Sequence, residues 1–349
     1  MLFPLPSDDE LYRALLERDP VYDGQAYVGV RSTGIFCRLT CPARKPKREN
    51  CQFFENIGEC LEAGYRACKR CKPMGPQATQ DPVIRQLMDA LEAAPDRRWS
   101  EGDIIAMGID PSTARRAFQR QYGMTFLKMA RLERLRRGFE AMQGGGRVID
   151  AQLEAGFDSQ TGFANAFAKL LGQSPGALSR DPMMRAHWID TPLGPMIAVA
   201  DKRALYLLEF ADRKALPGEL KRLYKDCKCL GIGRFGVHEQ VEDELKAYFD
   251  GSNARFSVPL ALRGNDFTRR VWEALLTIPA GETRSYGDLA TELGQPTATR
   301  AVARANGANQ IALIVPCHRV IGADGSLTGY GGGLWRKQQL IEIERKYLP

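Results

Sequence analysis

Cys37 and Cys41 form a C-x3-C pair, Cys68 and Cys71 form a C-x2-C pair, and 26 residues separate the two. Four thiolates delivered as two close pairs are the soft ligands that suit a tetrahedral Zn²⁺ ion, each pair supplied by one turn of chain. Most such sites only hold a small domain together. A zinc ion bound by four thiolates, however, carries a net charge of minus two, so its sulfurs stay deprotonated at neutral pH and are nucleophilic wherever an electrophile reaches them.

A second kind of sulfur chemistry is offered by Pro316-Cys317-His318-Arg319-Val320. The apolar run Ile311–Val315 before it reads as a short buried strand. A cysteine closing such a strand would be inert, and neighbours on a strand face opposite ways. Against that bland reading stand His318, one of three histidines in the chain, and the loop Gly329-Tyr330-Gly331-Gly332-Gly333, which can approach a ligand closely. A histidine oriented by a carboxylate is what a neutral thiol needs to become a nucleophile.

The elements that must position these groups are legible in outline. At 349 residues the chain suits two to four domains, and 44% hydrophobic with 26% charged residues describes a globular protein. Met1-Leu2-Phe3-Pro4 does not open a signal peptide and no apolar run approaches membrane-spanning length, so no membrane partner is expected and a cytoplasmic location is. Cysteines clustered in such a chain point to metal or reactive thiols rather than disulfides; Cys51, Cys60, Cys227 and Cys229 read as small residues without a role. The net charge of +7 is uneven: ten Lys or Arg face four acids between Arg31 and Lys72, and nine face two between Pro111 and Arg147. Clustered cations imply a polyanionic partner.

Lys72-Pro73-Met74-Gly75-Pro76 has linker chemistry, and a helical region runs from about Asp81 to Arg180. Within it a unit repeats: Gly108-Ile109-Asp110-Pro111-Ser112 leads to Phe118 and stops at Gly123, and Gly156-Phe157-Asp158-Ser159 leads to Phe167, 49 residues later, and stops at Gly172. Each copy is a helix, a glycine turn and a second, Asp- or Ser-capped helix, the layout of a helix-turn-helix. Gly102 and Gly108 interrupt the first helix of copy one. Arg115, Arg116 and Arg120 lie on its second helix, where phosphates or base edges are within reach, and copy two offers Gln160, Thr161, Asn165 and Lys169. Two such units suit successive major grooves. Trp188–Ala200 reads as a hairpin, Leu205–Phe210 as another strand, and helices return from Asp266.

The repeat resembles the DNA-binding module of AraC-type regulators. Residues 27–41 and 64–73 closely resemble the N-terminal domain of the Ada methylation-response proteins, which implies that Cys37 among the four takes a methyl group from a DNA methylphosphotriester. Residues 266–349 resemble the O6-alkylguanine-DNA alkyltransferases through Pro279-Ala280-Gly281-Glu282-Thr283, Ser285-Tyr286-Gly287 and Pro316–Val320. That resemblance implies that Cys317 accepts the alkyl group and that His318 removes its proton through a water. It makes Glu344 the acid that polarises His318 and Asn309 the bridge from helix-turn-helix to active site, with Tyr286 near the target nucleotide and Arg300 filling the gap left by a flipped guanine. The helix pair over Thr283–Gly307 with its Gly294-Gln295-Pro296 turn fits a groove binder, and flipping is required because the O6 carbon is out of a thiol's reach inside the stack. Ala308-Asn309-Gln310 departs from a common Gly-Asn-Pro while keeping the asparagine.

The expected fold is therefore multidomain α+β: a zinc domain (1–76), an all-α double helix-turn-helix module (80–181), a ribonuclease-H-like α/β layer (186–265) and a mainly helical, winged-helix-like alkyltransferase domain (266–349). The expected activity is single-turnover methyl transfer from O6-methylguanine and O4-methylthymine to Cys317 and from phosphotriesters to Cys37. The partners implied are damaged DNA, promoter DNA and RNA polymerase. Methylation of Cys37 takes the zinc site from minus two to minus one; one unit charge about 8 Å from a phosphate is worth about 2 kcal/mol at an effective dielectric near 20, enough to turn the repaired protein into a promoter-bound activator. The alternative is a zinc-containing DNA-binding regulator or lesion sensor that transfers nothing.

Overall fold

The computed structural model describes residues 7–19, 22, 26–55, 57–71, 73, 81–179, 181–227 and 229–347. The N-terminal tetrapeptide and most of the linker run (72 and 74–76) lie outside them. The first segment opens with helix α1 (Asp8–Glu17), whose N-terminus is closed by a reciprocal Ser7–Glu10 capping box. Strands β1 (Tyr27–Val30), β2 (Ile35–Arg38) and β3 (Cys51–Phe54), helix α2 (Ile57–Glu62) and the short β4 (Arg66–Ala67) follow. The sheet order is β3-β1-β2-β4, with β4 parallel to β2 and the other pairings antiparallel.

Six helices come next: α3 (Pro82–Ala93), α4 (Glu101–Ala106), α5 (Pro111–Tyr122), α6 (Phe126–Ala141), α7 (Val148–Glu154) and α8 (Gln160–Leu171). The two repeat units are α4–α5 and α7–α8. Asp110 accepts from the Thr113 amide and Ser159 from the Gly162 amide, and Gly123 and Gly172 end the second helices in left-handed conformation. The glycine signals of copy one resolve differently from the sequence expectation. Gly102 lies within α4 and breaks nothing, while Gly108, at φ +75°, makes the turn, as Gly156 does in copy two.

Strands β5 (Met184–Ile189), β6 (Met196–Ala200) and β7 (Leu205–Phe210) form an antiparallel meander, and after α9 (Leu216–Cys227) the edge strand β8 (Leu230–Ile232) joins β5 in parallel; α10 (Gly236–Asp250) follows. Every residue of β6 is buried, because both faces of the sheet are covered. Ile197 and Val199 pack with α6–α9, whereas Met196, Ala198 and Ala200 pack with the last helices. Those are α11 (Asp266–Leu276), α12 (Tyr286–Glu292), α13 (Thr299–Gly307) and α14 (Leu334–Glu344), with two short parallel strands, β9 (Arg284–Ser285) and β10 (Val320–Ile321). One further core joins the zinc segment to this one: Tyr27, Phe36, Phe54 and Leu61 pack with Leu327, Leu334 and Ile341, and α2 rests on α14.

The run Ile311–Val315 is not the strand its composition suggests. The Ala312 amide donates to the Leu208 carbonyl at 2.7 Å, a single bridge to β7, after which Leu313 turns to φ +67° and the Val315 amide returns to the Ile311 carbonyl. A buried leucine in left-handed conformation costs about 1 kcal/mol or more and is sustained only by the packing around it. That compact turn aims the following residues, Cys317–Arg319, into a 3-10 turn instead of along a strand. Among the described residues no helix is long and apolar enough to cross a membrane.

Candidate metal centre and thiol acceptor site

At the first site, Cys37 is carried by β2, opposite Val28 in β1, and Cys41 lies just past the strand end. The pairing of β4 with β2 brings up Cys68 and Cys71. The four sulfurs lie within 4.8 Å of one another, with Cys41 and Cys68 at 3.9 Å, the separation expected of thiolates sharing one tetrahedral Zn²⁺ at about 2.3 Å each. Hydrogen bonding to Cys41 and Cys71 pushes the Cys37 thiol up while the same contacts hold Cys41 down, so the crowded sulfurs share protons that a dication would replace. The chain binds zinc here. Cys51 packs in the same core but points its thiol at the Lys47 carbonyl, outside the cluster. Cys37 is 8% exposed. Lys45 donates to the carbonyls of Leu39 and Cys41, adding positive charge beside the cluster.

At the second site, Cys317 is 6% exposed at the start of the 3-10 turn. Burial pushes its thiol up to about 11, against the carboxamide of Asn309, which donates to Sγ at 3.1 Å and favours the thiolate. Asn309 is itself fixed: Nδ2 also reaches the Val315 carbonyl at 2.8 Å, and Oδ1 accepts from the Ile311 amide at 2.9 Å. His318, fully buried, places Nε2 at 2.8 Å from Glu344 at the end of α14. A carboxylate there accepts a hydrogen bond from Nε2–H, which assigns the tautomer and leaves Nδ1 as the basic nitrogen, with no protein partner. Burial holds His318 below its ordinary value despite Glu344, keeping the ring neutral. Glu344 further accepts from Arg319 at 2.8 and 2.9 Å, from the Tyr248 hydroxyl at 2.9 Å and from the Gly281 amide at 3.3 Å. Burial pushes this carboxyl up, and His318 and Arg319 outweigh it, holding it well below the usual range.

Tyr286 opens α12 and donates its hydroxyl to the Thr328 carbonyl, while Arg300 is exposed near the start of α13. Of the three arginines on α5, Arg116 is exposed and Arg115 is exposed but paired with Glu101 at 2.9 Å. Arg120 is turned inward: its side chain is 11% exposed and bonds Asp81, the cap of α3, at 2.7 Å. In this arrangement it presents no charge to a groove, because Asp81 from the preceding helix neutralises it. On α8, Gln160, Thr161, Asn165 and Lys169 are exposed.

Three contributors escaped the sequence reading. Asn306 on α13 donates to the Cys317 carbonyl. Lys337 is fully buried on α14, donating to the carbonyls of Val320 and Thr328; burial brings it down to about 8, opposed by the charge on Cys317. Tyr330, with no partner for its buried hydroxyl, lies in T-shaped contact with His318. The glycine loop around Tyr330 was a visible signal; a lysine on an amphipathic helix carries none.

A four-thiolate metal site, two helix-turn-helix units and a buried cysteine with an amide donor at its sulfur and a His–Glu pair next in sequence define a modular DNA-binding protein. Comparison with known proteins agrees segment by segment. Residues 10–74 match the family described as the metal binding domain of Ada, residues 105–181 a helix-turn-helix domain, and residues 266–346 the DNA binding domain of 6-O-methylguanine DNA methyltransferase. The chain is 34% identical over 345 residues to the bifunctional transcriptional activator/DNA repair enzyme Ada of Escherichia coli, spanning 97% of this chain and 96% of that one. The regulatory protein ada of Salmonella typhimurium is 32% identical over the same shares. A methylated-DNA–protein-cysteine methyltransferase of Mycobacterium bovis is 47% identical over 167 residues, 48% of this chain and 96% of its own. The chain belongs to the Ada family.

Proposed function

We propose that this protein repairs alkylated DNA by irreversible transfer of methyl groups to two of its own cysteines, and that the second transfer makes it a transcriptional activator. The observation that carries the reading is Cys317 Sγ, 3.1 Å from the Asn309 amide and followed directly by a histidine whose far nitrogen is committed to Glu344. In the transfer from O6-methylguanine, Sγ attacks the methyl carbon in line with the C–O6 bond. The thiol proton passes through a water to Nδ1 of His318, the C–O6 bond breaks, and guanine leaves with the electron pair. The product thioether is stable to every group in the pocket, so each chain acts once. Asn309 and Lys337 favour the thiolate that burial opposes; Tyr286, Tyr330 and Asn306 line the place where a flipped base sits, and Arg300 fills the stack. O4-methylthymine is the second substrate of this pocket.

Cys37 takes methyl from a phosphotriester. With zinc held by Cys37, Cys41, Cys68 and Cys71, the metal would supply charge that keeps Cys37 a thiolate, so this cysteine would need no neighbouring base. Its methylation removes one negative charge beside the DNA backbone, and the helix-turn-helix module, with Arg115 and Arg116 exposed on α5 and Lys169 on α8, then holds promoter DNA and recruits RNA polymerase. The chain works as four parts over 1–76, 80–181, 186–265 and 266–349. The deciding experiment incubates the protein with DNA carrying each lesion and counts methyl groups by mass spectrometry. Cys317→Ala must lose uptake from the base alone and Cys37→Ala from the phosphotriester alone. Unchanged uptake in both variants rejects the reading in favour of a regulator that transfers nothing.

A further inference from the structure

The turn after β7 places one arginine under the acceptor site without touching the thiol. Arg213, with a side chain 7% exposed, is held between two carboxylates from the α/β layer, Glu209 of β7 and Glu219 of α9, each 2.9 Å from the guanidinium. The same Nη1 that meets both acids also donates to the carbonyl of Asn309 at 3.3 Å, while Nη2 donates to the carbonyl of Gly307, the last residue of α13, at 3.2 Å. A third piece of the pocket rests on it as well. A Cβ at Gly331 would lie 2.6 Å from Arg213 Nε, so the glycine loop carrying Tyr330 comes down directly onto the guanidinium. A planar cation is thus shared by the helix that enters DNA, the asparagine that bonds the acceptor sulfur and the loop that walls the base pocket.

We propose that Arg213 is a positioning residue for methyl transfer: its buried guanidinium, anchored by Glu209 and Glu219, fixes the backbone of Gly307 and Asn309 so that the Asn309 amide points at Cys317. Two carboxylates buried beside a single arginine are costly to assemble unless the cation is needed there. The Arg213 bond holds the Asn309 peptide in place, and the side chain, tied to the Ile311 amide and the Val315 carbonyl, then reaches Cys317 Sγ from that fixed backbone. Lysine cannot reproduce this, because a single ammonium nitrogen cannot hold the Nη1 contacts to both acids and Asn309 and also reach the Gly307 carbonyl as Nη2 does.

This rests on Cys317 being the methyl acceptor, but its test does not depend on transfer. In full-length protein the rate of Cys317 alkylation by iodoacetamide is followed against pH by mass spectrometry of the Cys317 peptide, for wild type, Arg213→Lys, Asn309→Ala and the double variant. Arg213→Lys keeps a cation between the two acids, and its melting temperature is measured alongside so that a general loss of stability is told apart from a shift confined to Cys317. The midpoint of the profile should rise by about one pH unit, the equivalent of one hydrogen bond lost from the thiolate. Methyl uptake from O6-methylguanine should slow about tenfold while uptake at Cys37 is unchanged. Asn309→Ala should give the same upward shift, and the double variant no more than Asn309→Ala alone. A wild-type profile in Arg213→Lys, or additive shifts in the double variant, overturns the inference. Failure of wild-type Cys317 to take methyl, with the profile shifts intact, would reject the repair reading and leave the positioning role standing.

Discussion

Glu344→Gln tests the acceptor site most sharply, because it keeps the shape of the side chain and removes its charge. In the folded protein this carboxylate accepts from His318, Arg319, Tyr248 and the Gly281 amide, and almost none of it is exposed. The glutamine offers one acceptor oxygen and turns an amide donor toward groups that are themselves donors. Arg319, whose side chain is 7% exposed, is left as a buried cation without a counter-charge. Removing one partner of such a pair costs about 3–5 kcal/mol, and urea denaturation near neutral pH should show a loss of that size. Because the Glu344 carboxyl lies below its unfolded value, its contribution is complete above the unfolded pKa of about 4.3 and disappears as pH falls toward the folded value. The stability gap between wild type and variant should therefore close in acid. Chemistry should suffer too: without a carboxylate at Nε2 the His318 tautomer is no longer assigned and the ring is a weaker base, so single-turnover transfer from O6-methylguanine in a duplex should slow about 100-fold or more. A variant that transfers within threefold of wild type, or loses less than about 1 kcal/mol at neutral pH, would refute the reasoning.

Removing the amide donor in Asn309→Ala should carry the Cys317 thiol above its value of about 11, so that alkylation at fixed pH is slower and its profile moves to higher pH. Cys68→Ser should abolish zinc binding, read by a chromogenic chelator after denaturation, whereas Cys51→Ser should keep the metal, since its sulfur faces the Lys47 carbonyl. The two α5 arginines should separate cleanly: Arg116→Ala should lower the salt slope of promoter binding by about one with stability unchanged. Arg120→Ala should cost roughly 1–3 kcal/mol by leaving Asp81 unpaired at the head of α3.

Much of the site was legible because its signals are local. The spacing of four cysteines needs only two turns to deliver its ligands, and the cap residues Asp110 and Ser159 with the stop glycines Gly123 and Gly172 mark both helix-turn-helix units through bonds three or four residues long. Glu344 and Asn309 came from resemblance to a known family, since nothing in the residues around them distinguishes one acid or amide from its neighbours. Ile311–Val315 misled because an apolar run of five is equally at home in a strand or a buried turn; the choice fell to Leu208, whose backbone captures Ala312 and leaves Leu313 no room to extend.

By itself the chain determined a four-cysteine metal site, a cysteine beside a histidine and two helix-turn-helix units, all encoded by residue type at short spacing; which sulfurs would accept a methyl group came from family resemblance. Tertiary structure alone decided which charges face outward. Arg116 and Arg120 stand four residues apart on one helix, yet Asp81 turns the second into a structural tie, and Arg213 and Lys337 are buried beside Cys317's segment with nothing in their sequence neighbourhood to announce it. Periodicity records which face of an element is apolar. Which partner a buried charge meets depends on how faces from distant segments close on one another, and that is settled only when the desolvation cost of each charge has been matched by a partner in the folded core.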